Sequence, residues 1–290
     1  MSAEPSVGYV GVGLMGGSMV ERLVTLGYRV QAFDTDAARL AAAHRAGACC
    51  VESPAGAARG TDFVMLNLPS AQAVEEAVFG TIGLATALRP PQLVVDFSTV
   101  PAAACRDFSR RLHEKTGCNW VDAPVSGGPP AAAAGSLTIM AGGAETDIAR
   151  LRPLMDDVGR QFTHVGPIGS GSLAKTIAQL VVCSTYAVLA EAARLAEAAG
   201  IDAAILPSCV RGGHADGELM RQDRRGLSTK ARVQIPHGRI MVALVFSAKK
   251  SEDRAARCRA AQGILCRLGG SGFTGDAGQD ETLREGSTAE

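Results

Sequence analysis

Three glycines at positions 11, 13 and 16 carry the clearest chemical signal in this sequence. They lie between a short β-rich run and a helical pattern, in the stretch Gly11-Val12-Gly13-Leu14-Met15-Gly16. In such a turn the first glycine permits the tight bend, the second admits a pyrophosphate, and the third allows close helix packing. A helix N-terminus also attracts anions, so these six residues are predicted to bind the diphosphate of a dinucleotide.

Asp34 supplies the second half of this signal. It ends the next predicted strand, 23 residues beyond Gly11. A carboxylate there accepts hydrogen bonds from ribose hydroxyls and repels a 2′-phosphate, and neither Thr35 nor Asp36 brings positive charge, so we expect NAD rather than NADP. The alternative is a glycine-rich turn with no ligand, and the flanking strand together with Asp34 argues against it.

Lys175 is a candidate for proton transfer. It is the only lysine between Lys115 and Lys230, and it follows the stretch Gly169-Ser170-Gly171 at the start of a long helical pattern. A lone ammonium beside apolar side chains at the positive end of a helix should have a lowered pKa, which suits proton exchange near neutral pH. The alternative is an ordinary surface lysine.

Small residues after predicted strands are candidates for a substrate site. A strand ends and becomes a loop in Asp122-Ala123-Pro124-Val125-Ser126-Gly127-Gly128. The Ser126 hydroxyl and the backbone N–H groups of Gly127 and Gly128 can bind a carboxylate without a charged side chain, although an ordinary turn has the same composition. The stretches 66–69 and 96–101 also end strands, where ligands of such sheets bind, but their prolines and hydroxyls equally suit helix starts.

The hydrophobic pattern supplies a scaffold that brings strand ends together. β-rich runs alternate with helical patterns from Val7 onward, and Gly27 closes the first helix. This alternation predicts an α/β domain over 1–168, a Rossmann-type doubly wound parallel sheet with helices on both faces. The predicted strands are 7–11, 28–33, 63–68, 93–96, 120–124, 136–140 and 161–165.

Beyond residue 168 the pattern changes to one long helix, 172–199. At about 1.5 Å per residue it spans some 40 Å. It is apolar on all sides, so we expect it between domains or in a subunit interface, and hence a homo-oligomer, a dimer or tetramer. The C-terminal helical domain is expected over 169–268, with an amphipathic helix at 248–268, and the polar stretch 269–290 is predicted to be disordered.

Composition restricts the class of protein. The 290 residues are 47% hydrophobic, and 29 basic side chains balance 29 acidic ones, which disfavours nucleic acid or an anionic membrane as partner. The eight cysteines form no C-x-x-C pair, and no histidine lies in a metal-ligand spacing, so no metal is predicted. Without a signal-like N-terminus or a membrane-length apolar run, we expect a cytoplasmic protein with a small-molecule ligand.

Five motifs in this order resemble those of the β-hydroxyacid dehydrogenases, the group of 3-hydroxyisobutyrate dehydrogenase and tartronate semialdehyde reductase. They are G-V-G-L-M-G at 11–16, L-P at 68–69, D-F-S-T-V-P at 96–101, D-A-P-V-S-G-G at 122–128 with G-S-L-T-I-M-A-G-G after it, and G-S-G-S-L-A-K at 169–175. The resemblance covers about 7–221.

The resemblance implies a fold and a set of roles. It implies a Rossmann domain, a long interdomain helix and an all-helical C-terminal domain. It assigns Ser126, Gly127 and Gly128 to the substrate carboxylate and Lys175 to general acid/base catalysis. It also puts Leu68, Pro69 and Thr99 beside the cofactor. The implied reaction is NAD-dependent interconversion of a small 3-hydroxy acid and its semialdehyde.

Two departures from the family pattern bear on activity. Many members have Asn three or four residues after the lysine, where this chain has Ala178 and Gln179. Gln179 lies one helical turn from Lys175 and can still hydrogen-bond a substrate. The family's K-D pair in the C-terminal domain has no match after Gly226. Because the charge and the helical period change near Gln222, we hypothesise a reading-frame change there, which leaves an atypical or truncated C-terminal domain.

Two other functions stay open from the sequence. The first is an NAD(P)-binding protein of the same fold that is catalytically impaired by its C-terminal region. The second is an imine-reducing relative, which would replace the catalytic lysine, and Lys175 argues against it.

Overall fold

A computed structural model describes residues 5–222, which lie in one compact unit. The sequence predictions for 223–290 lie outside these described residues. They comprise the helix at 248–268, the disordered 269–290, the domain boundary at 268 and most of the proposed frame-changed segment.

Strands and helices alternate along the described chain. The strands are β1 (Val7–Val10), β2 (Val30–Phe33), β3 (Cys49–Cys50), β4 (Phe63–Leu66), β5 (Leu93–Asp96), β6 (Asn119–Asp122), β7 (Val125–Ser126), β8 (Leu137–Gly142) and β9 (Gly159–Gly166). The helices are α1 (Leu14–Thr25), α2 (Ala37–Arg45), α3 (Pro54–Ala58), α4 (Ala71–Phe79), α5 (Ala102–Thr116), α6 (Gly128–Ala133), α7 (Glu145–Val158), α8 (Ser170–Ala198), α9 (Leu206–Cys209) and α10 (Glu218–Gln222).

The sheet has the order β3-β2-β1-β4-β5-β6-β8-β7, and β9 pairs with β8. Strands β1 to β6 are parallel, with β1 between β2 and β4. The order reverses direction at β1, so the cleft between β1 and β4 is the switch point where ligands of such sheets bind. The predicted Rossmann-type α/β fold is confirmed.

One part of the predicted sheet is wrong. Strand β8 runs antiparallel to both β6 and β7, whereas a fully parallel sheet was expected. The connection between β7 and β8, residues 127–136, is shorter than the roughly twelve residues that a parallel crossover needs. The chain therefore returns in the opposite direction and the sheet is mixed.

The stretch after Ser126 was expected to be a loop and is the short helix α6. A proline lies in its first turn, and alanines follow. Proline is tolerated there because that N–H has no helical partner, and alanine has the highest helix propensity. Strand β3 and helix α3 are two further elements that the sequence pattern did not indicate.

Two apolar clusters cover the two faces of the sheet. One is built around Tyr9, Met19 and Ile139, and the other around Leu66 and Trp120. Because the strand interiors are buried on both sides, their side chains read as continuous apolar runs.

Helix α8 has 29 residues and begins two residues before the predicted start. Its buried side chains lie near its two ends, whereas Leu180, Val181 and Val188 between them are exposed. By length and composition alone it is apolar enough to cross a membrane, with 11% of its apolar window buried in this structure. Soluble proteins also use such helices at interfaces.

Candidate functional site

The glycine turn forms an open cradle at the N-terminus of α1. Gly11 has φ of +94°, and a Cβ there would overlap the Asn67 carbonyl oxygen. A Cβ on Gly16 would overlap the Gly11 carbonyl oxygen, so the helix lies directly against the turn. At Gly13, by contrast, the nearest described atom to a Cβ is Arg39 Nη1 at 3.7 Å. The turn is tight on its inner side and open on its outer side.

The N-terminus of α1 carries no internal cap. Gly13 occupies the N-cap position and offers no side chain to the first N–H groups, and the Leu14 side chain is 71% exposed. The first four N–H groups of a helix lack helical partners, and no side chain caps them here. They fit the diphosphate of a dinucleotide, as the sequence predicted for this loop.

Asp34 follows β2 and supports this turn. Its side chain is 6% exposed, Oδ2 accepts the Val12 N–H at 2.8 Å, and Oδ1 accepts the Asp36 N–H at 2.9 Å. The Asp34 carboxylate therefore holds the backbone of the glycine turn in place through Val12, a role that sequence reasoning missed. Arg39 Nη1 lies 4.0 Å from Asp34 Oδ1, so this end of the cradle does contain a positive charge, contrary to the expectation from Thr35 and Asp36.

The ends of β4 and β5 are joined by side-chain hydrogen bonds. The Leu68 N–H donates to Ser98 Oγ at 2.9 Å, and the Ser98 N–H donates to Asp96 Oδ1 at 2.9 Å. Pro69 and Thr99 are exposed on the same edge of the sheet as the glycine turn. The three predicted cofactor contacts Leu68, Pro69 and Thr99 thus lie on adjacent strand ends.

Asp96 is a buried carboxyl group beneath this edge. It is fully buried, and its Oδ2 has no hydrogen-bond partner among the described residues. Burial raises its pKa, the hydrogen bonds from Ser98 oppose this rise, and the neighbouring Asp122 adds to it, so that the pKa is about 7. Near neutral pH a large fraction of Asp96 is therefore protonated.

The predicted carboxylate loop lies at the end of β6. Ser126 is in β7 and pairs with Thr138 of β8, while Gly127 and Gly128 have φ of +127° and +71°. These left-handed conformations favour glycine. The pairing to β8 holds the Ser126 backbone, and all three residues are partly or fully exposed.

Lys175 lies in the second turn of α8 and is 8% exposed. Burial lowers its pKa, and the nearby Cys183 partly opposes this. Gln179 follows one helical turn later and is partly buried. A lowered pKa makes the neutral form of this lysine accessible at lower pH than in an ordinary lysine, which suits proton transfer.

Asp122 connects the sheet to α8, and sequence reasoning gave it no role. It is 1% exposed, Oδ1 accepts the Gly169 N–H and Oδ2 accepts the Ser172 N–H, both at 2.7 Å. It ends β6, directly opposite Asp96 of β5 in the sheet register. The signal in the sequence was an acidic residue closing an apolar strand.

The chemistry that a nicotinamide dinucleotide supplies at such a site is reversible hydride transfer. The glycine turn, Asp34 and the neighbouring strand ends fit that group. Among residues 5–222 no cluster of three or more His, Cys, Asp or Glu side chains is arranged to hold a metal ion.

Residues 6–166 match the family model of the NAD binding domain of 6-phosphogluconate dehydrogenase. The chain is 34% identical over 205 residues to NAD-dependent L-serine dehydrogenase of Pseudomonas aeruginosa, covering 71% of this chain and 68% of the relative. It is 34% identical over 201 residues to 2-(hydroxymethyl)glutarate dehydrogenase of Eubacterium barkeri, covering 69% and 66%. The aligned segment thus spans about two thirds of the length of these curated relatives.

Solved structures give the same relationship. A 3-hydroxyisobutyrate dehydrogenase from Salmonella typhimurium is 27% identical with a TM-score of 0.71, covering 92% of this chain and 96% of the other. An imine reductase from Streptomyces aurantiacus is 18% identical with a TM-score of 0.67, covering 91% and 93%, and shares the fold. Together with the cradle and the buried lysine, these matches establish that the chain belongs to the β-hydroxyacid dehydrogenase family.

Proposed function

We propose that the chain interconverts a small 3-hydroxy acid and its semialdehyde, with NAD as hydride acceptor and Lys175 as general acid/base. The observation that carries the proposal is the burial of Lys175 near the start of α8. The first turn of this helix is hydrogen-bonded to the end of β6. This end of β6 lies at the same edge of the sheet as the glycine turn. In this proposal the proton-transfer group and the dinucleotide site lie at the same edge of the sheet.

Each proposed residue has a distinct task. In oxidation, neutral Lys175 accepts the proton of the substrate hydroxyl while the hydride leaves the carbon that bears it. In reduction, the Lys175 ammonium protonates the oxygen of the aldehyde carbon. Ser126, Gly127 and Gly128 bind the carboxylate and so determine which carbon faces the cofactor. Gln179 donates a hydrogen bond to the substrate from the same face of α8.

The relatives support a specific substrate class. L-serine, 2-(hydroxymethyl)glutarate and 3-hydroxyisobutyrate are named in relatives of this chain. All three contain a primary alcohol on the carbon next to the α-carbon of a carboxylate. We therefore propose a 2-substituted 3-hydroxypropanoate as substrate of this chain.

The same reasoning gives a cofactor preference. Asp34 is held by two backbone N–H groups and presents a carboxylate where the adenosine ribose of NAD would bind. Its charge disfavours a 2′-phosphate. We propose NAD as the preferred cofactor and place Leu68, Pro69 and Thr99 along the nicotinamide half.

The exposed apolar side chains of α8 support a homo-oligomer, a dimer or tetramer. Leu173, Ile177 and Val181 are each more than half exposed, a pattern that favours burial against another copy of the chain. Static light scattering of the purified protein tests this proposal, and a monomer at micromolar concentration would contradict it.

Lys175→Ala is the direct test of the proposed reaction. We expect turnover of 3-hydroxyisobutyrate, L-serine or 2-(hydroxymethyl)glutarate to fall by about 10²- to 10⁴-fold. The Kd for NADH, measured by fluorescence, should stay close to that of the unmodified protein. Lys115→Ala, at an exposed position of α5, is the matched control and should retain activity.

Two results would contradict this reading. Full activity of Lys175→Ala removes the general acid/base role. NADH binding by the unmodified protein without turnover of any of these acids would instead favour the catalytically impaired dinucleotide-binding protein.

A further inference from the structure

We propose that Asp122 is the residue that positions Lys175, because its carboxylate holds the first turn of α8 against the end of β6. This inference rests on the proposed function of Lys175. Asp122 itself contacts neither substrate nor cofactor in this proposal, and it acts through the helix backbone.

Helix α8 is capped by a residue from another element. Its N-cap residue is Gly169, which has no side chain to accept the N–H groups of the first turn. Asp122, 47 residues earlier in the chain, accepts these N–H groups instead. Its Oδ1 accepts the Gly169 N–H and its Oδ2 accepts the Ser172 N–H, each at 2.7 Å. We call these two hydrogen bonds the Asp122 clasp. A carboxylate at this end of a helix is also favoured by the helix dipole.

The backbone of α8 lies in close contact with the sheet at this point. A Cβ on Gly171 would overlap the Met140 carbonyl oxygen and lie 2.6 Å from the Asp122 carbonyl oxygen. A Cβ on Gly142 would lie 2.5 Å from Asp122 Oδ1. The backbone of α8 thus touches the ends of β6 and β8 with no room for a side chain, and the carboxylate fixes its direction.

The two ends of the Asp122 clasp lie close along the chain to the two halves of the proposed substrate site. Lys175 follows Ser172 by three residues, less than one helical turn, so the clasp fixes the turn that carries Lys175. In the other direction, Asp122 begins the loop that leads to Ser126 and Gly127. One buried residue therefore ties the proposed carboxylate site to the proposed proton-transfer group.

The environment of Asp122 suits a fixed carboxylate. Burial raises its pKa, and the two backbone hydrogen bonds from Gly169 and Ser172 oppose that rise because they stabilise the ionised form. The Ser172 hydroxyl is engaged with the Cys105 thiol at 3.2 Å, which closes the far side of the clasp. Asp122→Asn leaves one oxygen to accept a hydrogen bond and puts an NH₂ group, itself a donor, opposite the other of the two backbone N–H groups.

The test compares Asp122→Asn with Asp62→Asn. Asp62 is the matched control, because its Oδ2 also accepts a backbone N–H, that of Ser6 at 2.7 Å, but at the opposite edge of the sheet. For Asp122→Asn we expect kcat to fall about 10²-fold, the loss typical of an approximately 1 Å misplacement. The NADH Kd should stay within about twofold, since the cradle is untouched.

A pH profile separates positioning from general destabilisation. The pH profile of kcat/KM contains a limb that we assign to the titration of Lys175. In Asp122→Asn the apparent pKa of this limb should rise toward that of an ordinary lysine, because a loosened first turn exposes the Lys175 ammonium. Asp62→Asn should keep both kcat and the limb of the unmodified protein. Unchanged kcat in Asp122→Asn, or a lower kcat with an unmoved limb, would overturn the proposal.

Two further variants keep the test decisive. Gly171→Ala displaces the same turn while leaving the carboxylate in place, and it should move the same limb even if Asp122→Asn cannot be purified in folded form. Gly171→Ala with an unmoved limb would overturn the proposal in that case. Lys175→Ala run in parallel tests the proposed function separately, because its full activity defeats that function whatever Asp122→Asn does.

Discussion

Arg39 Nη1 lies 4.0 Å from Asp34 Oδ1, at the end of the cradle where the adenosine ribose would bind. The Arg39 side chain is 57% exposed, whereas that of Asp34 is 6% exposed. The carboxylate is fixed by backbone hydrogen bonds, and the guanidinium is the partner that can turn toward a ligand. We therefore expect the preference between NAD and NADP to depend on both residues.

Replacing Asp34 should make NADP a better cofactor. Asp34→Asn keeps an oxygen for the Val12 N–H but removes the negative charge, and Arg39 can then pair with a 2′-phosphate. We expect the Kd ratio of NADPH to NADH to fall by about tenfold or more. Fluorescence titration of both cofactors measures it.

The double variant Asp34→Asn/Arg39→Gln should lose the improved NADPH binding of Asp34→Asn. The matched control is Asp34→Asn/Arg45→Gln, which changes an arginine at the far end of α2 and should keep that improvement. A gain that persists in the double variant would contradict the role of Arg39.

The glycines of the cradle should respond differently to alanine. Gly13→Ala adds a methyl group on the open side of the turn, so NADH binding should weaken by about tenfold while the melting temperature changes little. Gly16→Ala forces a methyl group against the Gly11 carbonyl oxygen and should cost about 1 to 3 kcal/mol of the free energy of unfolding. Equal melting temperatures for the two variants would argue against the described packing.

The pH dependence of turnover should have opposite sign in the two reaction directions. Burial lowers the pKa of Lys175, so the neutral form needed for oxidation is reached below the range of an ordinary lysine. The oxidation rate should rise with pH through this pKa, and the reduction rate should fall through it. Measuring kcat/KM against pH in both directions tests the proposed role of Lys175. A rate that changes with pH in the same direction for oxidation and reduction would contradict it.

Asp96 should make the protein less stable as pH rises. Its pKa is about 7 in the folded state and near 4 in the unfolded chain, so between these values the folded state binds more protons and the free energy of unfolding falls. Asp96→Asn mimics the protonated group. Its free energy of unfolding, relative to that of the unmodified protein, should therefore increase by on the order of 2 kcal/mol from pH 5 to pH 8. Urea denaturation at both pH values measures this.

Asp62→Asn is the control for this measurement. The backbone hydrogen bond from Ser6 lowers the pKa of Asp62, so it stays ionised throughout this range. Its difference from the unmodified protein should not change between pH 5 and pH 8. A constant difference for Asp96→Asn as well would show that Asp96 is ionised in the folded protein.

The parts of the fold that sequence predicted are those with local causes. The glycine turn, the alternating strands up to Asp122 and the long helix follow from residue type and period within short windows. The direction of β8 and the short helix after Ser126 were missed because they depend on how a brief connection returns to the sheet. The roles of Asp122 and Arg39 were missed because they arise from contacts with residues on other elements, such as Gly169 and Asp34.

The position of Lys175 near the anchored end of α8 makes the helix a lever with a short arm and a long arm. At about 1.5 Å per residue, α8 extends roughly 43 Å from the Asp122 clasp, while Lys175 lies only about 8 Å from it. A tilt of about 5° about the clasp would carry the far end by nearly 4 Å but Lys175 by less than about 1 Å. A displacement at the distal turns of α8 is thus strongly reduced at Lys175, the proposed proton-transfer group.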